Sequence, residues 1–160
     1  GVRVFRGRIA RRRQWSYPRP LVVLLLNFAI TAVLVGLIWT IQLVHYPLFA
    51  AVGEGAWRAY HAGHGRRISW LVVPLMGAEL LAALWLVLVP PPGVPAWVPL
   101  AAAVPVVVVW GVTMLVAVPL HVRLGHGFDA MALRWLVRVN WVRTVAWTSR
   151  GALLGWALSR

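Results

Sequence analysis

The amino-acid sequence predicts an all-α, four-helix transmembrane bundle on three observations. Four apolar runs, at residues 21–43, 68–89, 96–120 and 141–158, each have about the 17–25 residues a helix needs to cross hydrocarbon. The first three have almost no polar face, which the helices of a soluble bundle would show. Backbone groups in lipid must be satisfied within the segment or by a closed barrel, and the short alternating strands of a barrel are missing from these runs.

The elements follow in order. Residues 1–20 form a basic arm holding Arg3, Arg6, Arg8, Arg11, Arg12, Arg13 and Arg19, ahead of a domain spanning residues 21–160. The positive-inside rule places this arm in the cytoplasm, against anionic lipid head groups, and the protein in a bacterial inner membrane. The arginines also suggest an export signal, but the run after them is too long and apolar to be a cleaved one. Pro47 is expected to break the first span. Residues 54–63 are expected to form a short interfacial helix carrying Trp57 and Tyr60. Prolines and one glycine at 90–95 make a tight turn, so the second and third spans are antiparallel neighbours. Pro74, Pro105 and Pro119 are expected to kink those spans. Asp129 is a favourable N-cap for a last helix of about 30 residues, ~45 Å long at ~1.5 Å per residue, which must project beyond the bilayer.

Composition narrows the function classes. The chain is 61% hydrophobic, against roughly 45–50% in soluble domains, and its 160 residues suit one domain. It has no cysteine, which excludes disulfides and thiolate metal sites. All 16 basic residues are arginine, and the net charge is +13. That charge brackets apolar spans instead of forming a patch, which argues for lipid and against nucleic acid. Trp39, Trp57, Trp70, Trp97, Trp110, Trp135, Trp141 and Trp156 fall mostly near span ends, as an interfacial belt requires.

Four spans put the first and third connections on one membrane face. All five histidines, His45, His61, His64, His121 and His126, lie in those connections with Glu54 and Asp129. His61 and His64 share a helix side at i, i+3, and with His45 or His121 they offer nitrogens to a metal or a haem iron. The metal, if any, is not specified by this pattern, and simple head-group contact is the alternative. Inside the spans, Asn140, Arg143, Trp147 and Arg150 form one stripe on the last helix. Glu79 lies eleven residues into the second span and Arg150 nine residues into the fourth, both ~14–16 Å deep at ~1.5 Å per residue. The two are expected to form an ion pair, since an isolated charge at mid-bilayer costs about 2.5–3.5 kcal/mol. Arg143 is shallow enough to snorkel toward the histidine face. The stripe reads either as a register-fixing pair or as a polar pocket for an anionic or quinone-like ligand. Gly151 and Gly155 permit close helix approach within the chain or between chains.

The run Val118-Pro119-Leu120, then Asp129, Trp135 and Asn140-Trp141-Val142-Arg143-Thr144, resembles the closing pattern of the anthrone-oxygenase-like family. These are small four-helix membrane proteins, many of them bacterial. The resemblance covers the second half of the chain and implies oxygenation of a polycyclic phenol, with Asn140 and Arg143 as the matched positions. The expected function is therefore oxidoreductase- or oxygenase-like action on a hydrophobic aromatic or quinone-like ligand, with haem or quinone as cofactor. In that reading Glu79, Arg143, Arg150, Asn140 and His61 act on the ligand, while His45, His64 and His121 bind the cofactor. The site is expected under the histidine face, between the second and fourth helices. The alternative is a non-catalytic subunit of a photosynthetic or respiratory membrane complex, binding pigment or lipid. A homo-oligomer and a larger complex both remain open. A transporter is the weakest reading, because four short helices without an inverted repeat make a poor pathway.

Overall fold

The computed structural model describes residues 19–160, so the arginines of the basic arm before Arg19 lie outside the described residues. The described chain is all-α, with no strand. The first long helix runs through α1 (Arg19–Thr40), a π-helical turn (Ile41–His45) and α2 (Tyr46–Phe49). The second is α3 (Glu54–Leu88). The third comprises α4 (Trp97–Val112), a second π-helical turn (Thr113–Ala117) and α5 (Val118–His126). The fourth is α6 (Ala130–Leu158). They pack as a ring in which α1 meets α3, α3 meets α4, α4 meets α6, and α6 closes on α1.

Three stretches, Arg19–Phe49, Glu54–Leu88 and Trp97–His126, are long and apolar enough to cross a membrane. α6 is not, because arginines recur along it. Its place in the ring explains how it is accommodated: Asn140, Arg143, Thr144 and Arg150 are all buried. The polarity of the bundle is reversed relative to a soluble protein. Leu26, Leu81, Val107 and Leu115 face outward, while Asn27, Thr31, Gln42 and Glu79 face inward.

Local chemistry sets the connections. Val94 N–H donates to Pro91 O, with Gly93 at φ +80°. That is a type II turn, which needs positive φ at its third residue. Asp129 caps α6, its Oδ1 accepting from the amides of Met131 and Ala132 at 2.9 Å each. Gly151 and Gly155 do their work within the chain: Val35 and Phe28 of α1 pack against them, and a Cβ at 155 would lie 3.3 Å from the Phe28 ring.

The first connection differs from expectation. The separate interfacial helix of residues 54–63 is instead the first part of the 35-residue α3, and Gly63 and Gly65 are helical within it. At ~1.5 Å per residue α3 is about 52 Å long, so it too projects beyond ~30 Å of hydrocarbon. Pro74 and Pro105 lie inside continuous helices. Pro47 and Pro119 do not break their helices either. Each follows a residue whose amide bonds five residues back, Tyr46 to Ile41 O and Val118 to Thr113 O. A proline ring collides with the carbonyl four residues earlier, and widening the preceding turn relieves the collision.

Candidate functional site

Two polar layers sit inside the ring. In the lower one, Glu79 is fully buried and meets every long helix through its partners. Arg150 Nε donates to Glu79 Oε1 at 3.0 Å, the ion pair expected from depth. Thr31 Oγ1 of α1 donates to the same oxygen at 2.7 Å, and Trp147 Nε1 of α6 donates to Oε2 at 2.9 Å. Arg150 Nη2 donates to Asn27 Oδ1 at 2.6 Å, and Nη1 donates to the Ala102 carbonyl of α4. Every side chain here is sealed from the outside. The layer therefore joins the four helices and offers no opening for a ligand.

The upper layer begins one turn higher on α6. Asn140 Nδ2 donates to Gln42 Oε1 at 2.8 Å, and Gln42 Nε2 donates to Val137 O at 3.3 Å. Arg143 Nη1 donates to Asn140 Oδ1 at 3.3 Å, and its guanidinium lies 5.3 Å from the Trp147 ring centroid. Arg143 does not snorkel out; it is only 7% exposed. No carboxylate neutralises it. The chain has three acidic residues; Glu79 is taken by Arg150, Asp129 by Arg123 at 2.6 Å, and Glu54 opens α3.

Above Arg143 the histidines assemble. His45 Nε2 and His64 Nδ1 are 2.8 Å apart, and His61 Nε2 and His121 Nδ1 are 3.2 Å apart. His121 Nε2 is 3.1 Å from the Tyr46 hydroxyl. His126 stays outside the cluster, and its backbone carbonyl accepts from Arg58 Nε at 3.1 Å. Among the described residues no three His, Asp or Glu side chains converge as a metal site would require. The reason is that the imidazoles bond to one another in pairs, and His121 has both ring nitrogens occupied. The three- or four-nitrogen ligand set expected from spacing is therefore not assembled among the described residues.

Trp57 corrects the belt reading. It is 0% exposed, donates Nε1 to Leu124 O at 2.7 Å, and stacks on His61 at 27°. Trp70, Trp97, Trp135 and Trp141 are exposed, as a belt requires.

A cavity of ≈ 190 Å³ lies between α3 and the third long helix, with Arg143 of α6 and Tyr46 at its inner wall. It is therefore displaced from the expected position between the second and fourth helices. Both π-helical turns border it, through Ile41 on one side and Thr113, Met114 and Ala117 on the other. Val73, Met114 and Val118 at its edge are among the exposed apolar residues, so its mouth opens sideways. Among the described residues four buried side-chain atoms have no hydrogen-bond partner, and three of them belong to residues lining this cavity: Trp110 Nε1, Thr113 Oγ1 and Arg143 Nε.

No known protein family, curated protein or solved structure matches the chain. Function must be read from the cavity itself. Of the residues expected at a site, Arg143, His64 and His121 line it, Asn140 and His61 hold residues that do, and His45 stands one hydrogen bond away. Glu79 and Arg150 belong to the sealed layer. Tyr46, Trp110 and Thr113 were missed. Only the proline spacing pointed toward them, since Pro47 and Pro119 each close a widened turn at the cavity.

Proposed function

We propose that the chain is an integral membrane protein that takes up a lipophilic ligand with an acceptor or anionic oxygen, of hydroxy-aromatic or quinone-like type, and acts on it in an oxidoreductase- or oxygenase-like way. The observation that carries this reading is Arg143. It is a buried cation with no carboxylate, with an unpaired Nε, beside the unpaired Trp110 Nε1. Both nitrogens can only donate, so the group they select must accept. A buried donor left without a partner costs roughly 1–3 kcal/mol, more for a charged group, and a ligand oxygen recovers that cost. The apolar walls and sideways mouth suit a flat ring entering from the bilayer.

In this reading the ligand carries the redox chemistry, and the chain binds, orients and exchanges protons. Arg143 holds the oxyanion, Asn140 fixes Arg143, and Tyr46, held by His121, completes the polar side of the same wall. The resemblance to anthrone-oxygenase-like proteins points the same way, toward a phenolic substrate, with dioxygen as the co-reactant. Glu79 and Arg150 act as structural supports. The Arg-rich arm favours a bacterial inner membrane with the N-terminus cytoplasmic, where anionic lipids are its partners.

The test uses the protein in lipid nanodiscs and 2-hydroxy-1,4-naphthoquinone as probe, followed by quenching of tryptophan fluorescence. Saturable binding is expected, weakened about 10–100-fold by Arg143→Gln, as loss of a charge-assisted hydrogen bond implies. Arg143→Lys should recover part of it. Equal binding by Arg143→Gln, or none by the wild type, would remove the reading.

A further inference from the structure

His64 lies on the wall of two recesses. One is the cavity above Arg143. The other is a groove of ≈ 440 Å³ on the opposite side, between the end of the first long helix and the first half of α3. Thr40, His45, Tyr60 and Arg67 give this groove its polar lining. Tyr60 and Arg67 are exposed, at the histidine end of the bundle. The exposed residues at the cavity's mouth are mostly apolar, Val73, Met114 and Val118, with the single hydroxyl of Ser69 among them. A proton cannot reach the cavity through hydrocarbon, so it must come through protein. The wall between groove and cavity contains the His45–His64 hydrogen bond of 2.8 Å.

We infer that the His45–His64 pair is the proton conduit between the groove and the ligand cavity, while the His61–His121 pair is a fixed brace for Tyr46. The inference rests on the cavity being a ligand site. Among the described residues, no protein hydrogen bond engages His45 Nδ1 or His64 Nε2, so the pair has a free nitrogen at each end. The other pair does not connect the two recesses, because His61 is buried and lines neither of them. His121 is bonded on both nitrogens, and His61 is stacked on Trp57, which is itself held by Leu124 O.

The transfer balances as a proton relay. His45 Nδ1 takes a proton from hydronium in the groove, leaving water, and the imidazolium so formed passes its Nε2 proton to His64 Nδ1. His64, now the imidazolium, gives its Nε2 proton to the anionic ligand oxygen. One proton has crossed, no electrons have moved, and both rings have changed tautomer; rotation of the rings restores them. The ionisable and charged groups around the pair are His61 on α3 itself, Tyr46 and His121 at the cavity, Arg143 from α6, and Tyr60 and Arg67 in the groove.

The experiment follows the colour change of bound 2-hydroxy-1,4-naphthoquinone, a coloured weak acid, after a pH jump in nanodiscs. His45→Phe should slow protonation of the bound probe by roughly 100-fold, the lower range for loss of a positioned acid–base group. Ala59→Trp fills the groove and leaves both imidazoles in place; it should slow exchange while probe affinity is unchanged. His61→Phe should leave the rate near that of the wild type and lower thermal stability. Should His45→Phe fail to fold, Ala59→Trp decides. Wild-type rates in Ala59→Trp, or an equal slowing in His61→Phe, would overturn the conduit while the bound probe upholds the ligand reading. A wild type that binds no probe overturns both.

Discussion

Arg143 and Arg150 look alike in the sequence, two arginines on one stripe of one helix, and their surroundings separate them. Arg150 spends its donors on Glu79, Asn27, Thr31 and Ala102. Glu79→Gln leaves that guanidinium buried without its counter-charge, which should cost about 3–5 kcal/mol of stability, read from thermal unfolding in detergent. The double variant Glu79→Gln/Arg150→Met should regain a large part of that loss, because an apolar replacement of both partners removes the unpaired charge. An unchanged melting temperature in Glu79→Gln would mean that the pair contributes nothing. The Glu79–Arg150 contact was legible in the sequence because depth along a helix is simple arithmetic from the membrane edge. The different fate of Arg143 was not, since it depends on Asn140 and Trp147 turning it toward a cavity made by other helices.

At the scale of elements, the two π-helical turns define the cavity, and each precedes a proline. Pro119→Ala removes the collision that holds the second turn open. The helix should then close to ordinary α-geometry, stabilising the protein while weakening probe binding; binding and stability that move together would contradict this. α6 offers two further tests. Gly155→Val should push the Phe28 ring and destabilise by about 1–3 kcal/mol, the usual cost of overpacking, and Phe28→Leu should relieve it. Asp129 is held below the ordinary carboxylate range, first by the Ala132 amide and also by Arg123 and the Met131 amide. A lowered pKa in the folded state means the cap contributes above the unfolded carboxyl's value, near 3.8, and fades as pH falls through its own. Amide exchange at Met131 and Ala132 should therefore accelerate only in acid, and Asp129→Ala should abolish that dependence. The N-cap was readable from residue type alone. The π-helical turns were not, because a proline in an apolar run signals a break, a kink or a bulge equally well. Nor was the merging of residues 54–63 into α3, since Gly63 and Gly65 argue locally against a helix that tertiary packing sustains.

Across the whole molecule, the all-α bundle was legible because apolar runs of the right length are a strong signal. The cavity's position was not, since it is set by how four helices close into a ring. Three helices meet the length and hydropathy needed to cross a membrane, and α6 does not. That inequality bears on biogenesis. The guanidinium of Arg150 in α6 is matched by the carboxylate, amide and carbonyl groups that the earlier helices present. Until it docks, Glu79 stands in the membrane without its counter-ion. Docking of α6 therefore completes the wiring of the three helices that precede it, and a variant lacking α6 would hold, in that naked carboxylate, a charge that hydrocarbon penalises.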